Sequence, residues 1–85
     1  MKLIKITQLR VLKNYILELT FSDGYIKQYD FEQLIEFKGV AAALKDKDFF
    51  KNVEIINNGR SFAWANGYDC CADWARYHIA DNVSA

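Results

Sequence analysis

The sequence predicts an α+β domain: a small, mostly antiparallel five-stranded sheet with helices packed on it, in the order β-β-β-α-α-β-β-α. Three observations carry this. Apolar residues alternate with period two in several short runs, the signature of half-buried strands. Ser22-Asp23-Gly24 and Trp64-Ala65-Asn66-Gly67-Tyr68-Asp69 follow such runs and reverse the chain. Aspartates at 30, 46 and 69 stand just before helix-like stretches, where a carboxylate caps free amide groups.

The first strand is read over Lys2 to Gln8, with Ile4 and Ile6 on one face. Leu9 to Asn14 connects it to a second strand, Tyr15 to Phe21, whose Tyr15, Leu17, Leu19 and Phe21 share a face. The Asp-Gly turn leads into a third strand, Tyr25 to Tyr29, because glycine tolerates positive φ and Asp bonds its own backbone. Two registers compete. A two-residue loop sets Phe21 opposite Ile26, and a three-residue loop with a glycine bulge sets it opposite Tyr25. We favour the first, which pairs two apolar side chains; a slip of one residue reverses the core face.

Asp30 caps a helix, Gln33 completes a capping-box-like pair, and Gly39 is the natural place to stop. Val40 to Leu44 forms one short turn, and Asp46 caps another short helix whose Phe49 and Phe50 enter the core. Val53 to Ile56 is the fourth strand, Asn57-Asn58-Gly59 a turn, and Ser61 to Trp64 the fifth. Asn66-Gly67 turns the chain again. Asp69 caps a final helix to about Ile79, with Cys70, Trp74 and Tyr77 facing inward at i, i+4, i+7. Residues 1–79 make one domain and 80–85 a frayed tail. No internal repeat is evident.

Composition narrows the function. Eleven Lys plus Arg balance eleven Asp plus Glu, and no basic stripe is visible, so nucleic acid is not the expected partner. No apolar stretch reaches membrane-span length and no charged-then-apolar leader opens the chain, so the expected location is the cytoplasm. Cys70 and Cys71 are adjacent and cannot staple distant segments, which agrees with a reducing compartment.

Candidate chemistries fail on spacing. The single histidine removes every site that needs two imidazoles. A zinc site from Cys70, Cys71, Asp73 and His78 is disfavoured, because thiolate ligands normally have two to four residues between them. Cys71 and His78 on one helix would lie roughly 10 Å apart along its axis, against the roughly 3 Å that a nucleophile and base require. The four glycines stand singly at 24, 39, 59 and 67, so no phosphate-cradling loop exists. The carboxylates read as caps and turn residues; a catalytic acid pair would need Asp23 or Asp30 folded beside Asp69. No catalytic residue, metal or cofactor is expected.

The aromatics support a binding reading beside a packing one. Trp64, Tyr68 and Trp74 cluster near the second reversal and read first as core, with Trp64, Asn66, Tyr68, Asp69 and Arg76 as candidate ligand or partner residues.

In order, Phe21-Ser22-Asp23-Gly24, Asp30 before a helix, Leu44-Lys45-Asp46 then Phe49-Phe50, Trp64-Ala65-Asn66-Gly67-Tyr68-Asp69 and Asp73-Trp74 resemble the family called domain of unknown function 2442. The resemblance runs from about Ile4 to Tyr77. Cys70 stands where that family usually has an aliphatic residue, and Gln28 is polar where its strand is usually apolar. The resemblance implies a small bacterial α+β domain with no established catalytic residue. Some relatives continue into a helix-turn-helix, which this chain stops too early to hold. Others look like neighbours of a second small protein, as in toxin–antitoxin pairs. The expected function is therefore a non-catalytic protein-interaction module, whose partner is another protein or, through an exposed sheet edge, a second copy. The alternative is a small-ligand domain with a pocket near Trp64, Tyr68 and Asp69.

Overall fold

Alternation and turn chemistry place the strands of the computed structural model, which describes residues 3–79. The strands are β1 (Ile6–Val11), β2 (Ile16–Phe21), β3 (Ile26–Asp30), β4 (Glu54–Ile56), β5 (Ser61–Ala63) and β6 (Asp69–Cys71). Between β3 and β4 lie helix α1 (Phe31–Leu34), a 3-10 turn (Gly39–Lys45) and helix α2 (Lys47–Phe50). A second 3-10 turn (Asn57–Gly59) joins β4 to β5, and a π-helical turn (Trp74–His78) ends the described chain.

The strands form two three-stranded antiparallel sheets, β1-β2-β3 and β4-β5-β6, which corrects the single five-stranded sheet expected from sequence. Gly59 packs onto the Ile6 carbonyl at the seam, but among the described residues no strand ladder joins the sheets. The sixth strand arises because the Asn66-Gly67 reversal is itself a hairpin. The Trp64 amide donates to the Tyr68 carbonyl at 2.9 Å, and Asp69 then pairs with Ala63 instead of capping a helix.

The β2–β3 and β5–β6 hairpins use one five-residue device. In Phe21-Ser22-Asp23-Gly24-Tyr25 and Trp64-Ala65-Asn66-Gly67-Tyr68 the leading aromatic's amide donates to the tyrosine carbonyl, at 2.8 and 2.9 Å. Each glycine sits at positive φ, 91° and 93°, and its amide returns to the leading aromatic's carbonyl. Each Asp or Asn oxygen accepts the tyrosine amide at 3.2 Å. This recurrence escaped the sequence reading. It also reverses the favoured register: the loop has three residues, Thr20 faces Ile26, and Phe21 faces Tyr25. Glycine in the left-handed region at the third loop position selects that geometry.

The remaining boundaries shift for local reasons. The first strand begins at Ile6 and runs on to Val11, where Leu9 and Val11 pack on the core; Lys2 lies outside the described residues. Asp30 caps α1 through the Glu32 amide at 3.0 Å, yet the helix ends at Leu34, well before Gly39. Phe37 then packs its ring 5.0 Å from Tyr15, which holds this stretch against the core in non-helical form. Gly39, at φ 57°, begins a turn instead of ending a helix. Asp46 caps α2 as expected, accepting from the amides of Asp48 and Phe49 at 2.9 and 3.4 Å. The expected tail, 80–85, lies outside the described residues.

The core draws on both sheets. Leu17, Leu19 and Phe21 of β2 are buried with Tyr29, Phe31, Leu44, Phe50, Phe62 and Trp64. Phe31, Phe50, Phe62 and Trp64 form a ring cluster with centroids 5.5–6.2 Å apart, mostly edge-on, the arrangement the ring quadrupole favours. In the C-terminal segment Cys70 is buried and Trp74 packs partly against the core, as the i, i+4, i+7 pattern expects, but Tyr77 is 61% exposed and the fully buried positions are Ala72 and Ala75. The Tyr29 hydroxyl donates to the Ala75 carbonyl from the neighbouring strand.

Candidate functional site

The β5–β6 hairpin gathers Trp64, Asn66, Tyr68 and Asp69. Trp64 is 3% exposed, and its indole Nε1–H donates to the Phe50 carbonyl at 2.9 Å. It belongs to the core and has little surface for a ligand. The Asn66 amide donates to the Val40 carbonyl at 2.5 Å, so it ties the hairpin to the 3-10 turn. Tyr68 is half-buried with its ring 5.6 Å from Trp64. Burial pushes its phenol above the ordinary value, helped by the neighbouring Cys70. Within this group Asn66 and Asp69 are exposed, Asp69 on a strand.

Cys70 and Cys71 are both free thiols. Burial pushes the Cys70 thiol up to about 12, so it stays protonated and inert at neutral pH. Cys71 is exposed, and its sulfur accepts the Trp74 amide at 3.4 Å. Among the described residues, no three His, Cys, Asp or Glu side chains gather as metal ligands. An open groove of about 520 Å³ lies along β4 and β5, lined by Lys51, Asn52, Glu54, Ile56, Ala63 and Ala65 with Val53 and Trp64.

Arg76 is held by the β2–β3 hairpin. Its Nε donates to Asp23 at 2.9 Å, and its guanidinium lies 3.7 Å over the Tyr25 ring and 5.1 Å from the Tyr77 ring. Partial burial pushes the Asp23 carboxyl up, but hydrogen bonds from Arg76 and the Tyr25 amide outweigh it and leave the carboxyl below its ordinary value. The hydrogen bond to Asp23 raises Arg76 in turn. The result is a cation between two rings, with Tyr25 56% and Tyr77 61% exposed and exposed Ile26 next in the chain. Planar Arg stacked on aromatic faces is rigid at small entropic cost.

The structure therefore divides the five sequence candidates. Four lie on one hairpin, which Trp64 and Asn66 tie to its neighbours; Arg76 lies in an exposed aromatic stack with Asp23, Tyr25 and Tyr77. Sequence reading missed Asp23 and Tyr25 as surface residues. The signal available was the likeness of the two hairpin motifs, which places a tyrosine after each glycine.

The opposite face of the first sheet is a solvated ladder. Arg10, Glu18 and Gln28 are cross-strand neighbours, with Arg10 and Gln28 donating to the two Glu18 oxygens at 2.7–2.9 Å. Those bonds, Gln28 first and then Arg10, hold the Glu18 carboxyl below its ordinary value. Among the described residues, no helix is long and apolar enough to cross a membrane.

Residues 6–74 match the family described as Protein of unknown function (DUF2442), and the chain belongs to that family. No curated protein and no solved structure matches the chain.

Proposed function

We propose that this member of the DUF2442 family is a non-catalytic protein-interaction module that docks its partner on the Tyr25–Arg76–Tyr77 face. The exposed stack is the observation that carries this reading. Tyrosine and arginine are enriched among residues that dominate binding energy, and here they are fixed in place before any partner arrives. The partner is the product of a neighbouring gene, met in the cytoplasm as in toxin–antitoxin pairs. The family resemblance and the two free cysteines support that part.

Co-expression with the adjacent gene product, followed by size exclusion with light scattering, tests the reading. A stoichiometric complex is expected, and Tyr77→Ala should weaken it at least tenfold while leaving the fold intact, since hot-spot truncations typically cost about 2 kcal/mol or more. A chain that elutes alone, or a complex indifferent to Tyr77→Ala, rejects it. The groove along β4 and β5 favours a second reading, a small-ligand site, because its volume falls within the usual range for such sites. A thermal-shift screen of common metabolites would support it through a saturable rise in Tm lost on Glu54→Ala.

A further inference from the structure

The docking face is built across a joint. Tyr25 belongs to the β2–β3 hairpin, whereas Arg76 and Tyr77 belong to the C-terminal segment that leaves β6 at Ala72. The root of that segment is fixed to the other sheet. The Ala72 amide donates to the Arg60 carbonyl at 2.7 Å, and the Asp73 carboxylate takes two guanidinium bonds from Arg60, at 3.2 and 2.8 Å. Ala72 itself is fully buried.

The far end is held differently. Within Trp74–His78 only Ala75 is fully buried, while Trp74 and, beyond it, Ile79 pack partly against the core. The hairpin holds this end with polar groups: the Tyr29 hydroxyl donates to the Ala75 carbonyl, and the Lys27 ammonium donates to the Arg76 and Ile79 carbonyls at 3.2 and 2.9 Å. Asp23 adds the bond to Arg76. A short helix whose last carbonyls are capped from a neighbouring strand, and whose larger apolar side chains are only partly buried, is the kind of element that opens locally.

We infer that residues 74–79 form a strap, hinged at Ala72–Asp73, that opens from the β2–β3 hairpin as one unit, and that the docking face exists only while it is shut. Lys27 and Tyr29 are the positioning residues that hold it. The consequence for binding rests on the interaction reading above. A partner that spans Tyr25 and Tyr77 binds the shut form alone, so its apparent affinity scales with the fraction shut and its binding closes the strap in return.

Native-state hydrogen exchange on the full chain, without any partner, tests the strap, so a failed co-purification and a failed strap are separate results. Protected amides between Ala75 and Ile79 should exchange together, at least about 100-fold faster than those of Leu17 and Leu19 in the core. Lys27→Met removes two charge-assisted bonds and should speed the strap amides about tenfold while leaving Leu17 and Leu19 unchanged. Tyr29→Phe should act in the same direction. Limited trypsin digestion gives a second readout: cleavage after Arg76 should accelerate about tenfold in Lys27→Met, and cleavage after Arg60 should not. Strap amides that exchange only with Leu17 and Leu19, that show no protection at all, or that Lys27→Met speeds no more than the core would overturn the inference.

Discussion

Gly59→Ala tests how the two sheets are joined. A Cβ at this position would lie 2.8 Å from the Ile6 carbonyl oxygen, 3.1 Å from the Lys5 Cβ and 3.3 Å from the Ile6 amide. The first contact is closer than van der Waals packing permits, and it is with backbone, so no side chain can swing aside to relieve it. Moving that backbone disturbs the Ser22 amide bond to the Lys5 carbonyl, 2.7 Å, and the Arg60 bond to the Ile4 carbonyl. Gly59 also sits at φ 88°, where an L-residue costs about 1–2 kcal/mol. Overpacking adds about 1–3 kcal/mol, for a total of about 2–5 kcal/mol. A chain of this length has about 4–13 kcal/mol of stability in all, so the loss is large. Gly24 and Gly67 are internal controls: they sit at φ 91° and 93°, and an added Cβ would meet nothing within 4 Å at either. Gly24→Ala and Gly67→Ala should show the backbone cost alone. Urea unfolding followed by tryptophan fluorescence compares the three. If their free energies agree within about 0.5 kcal/mol, the seam contact contributes nothing and the reasoning is wrong.

Three further outcomes follow from the same geometry. Trp64→Phe removes the donor to the Phe50 carbonyl and leaves a gap in the ring cluster, so urea unfolding should show a loss of about 2–4 kcal/mol. Limiting iodoacetamide at pH 8 should label exposed Cys71 and spare Cys70, whose thiol burial pushes up to about 12; peptide mapping by mass spectrometry should find Cys70 modified only after denaturant is added. Hydrogen bonds from Arg60 hold the Asp73 carboxyl below its ordinary value, so its contribution is present above the unfolded pKa and lost as pH falls through the lower folded one. Tm should therefore drop below about pH 4, and Asp73→Asn should flatten that drop.

Much of the fold was written locally. The alternation of Tyr15, Leu17, Leu19 and Phe21 marks a strand face, and all four are buried. Asp30 and Asp46 cap the helices they precede, because their carboxylates reach amides two or three residues on. Asp69 shows where that logic stops. An aspartate before Cys-Cys-Ala-Asp-Trp has the same local chemistry whether it caps a helix or ends a hairpin. The choice was made by the Asn66-Gly67 turn, which delivers the next three residues alongside β5 before any helix can begin. Register failed for a related reason. Pairing apolar with apolar set Phe21 against Ile26, but the glycine geometry of the loop decided the matter and left Ile26 facing solvent.

The candidate site was less legible than the fold because it depends on neighbours distant in sequence. Tyr25 and Tyr68 occupy equivalent places in the two hairpins, with the same turn and the same amide bond to the residue two before. Local sequence treats them alike. What separates them is tertiary: Tyr68 lies beside the buried Trp64 ring, whereas Tyr25 meets Arg76, 51 positions further on, and stays exposed. Arg76 in turn is positioned from both sheets, through Arg60 on Asp73 and through Asp23, Lys27 and Tyr29 on the segment that follows. A residue pattern can therefore specify that a tyrosine follows each turn, but whether that tyrosine closes a core or opens a surface depends on which segment crosses it. In this chain the crossing segment is held by polar bonds from Asp23, Lys27 and Tyr29 together with the partial packing of Trp74 and Ile79, so single substitutions such as Lys27→Met reach the surface through the segment that builds it.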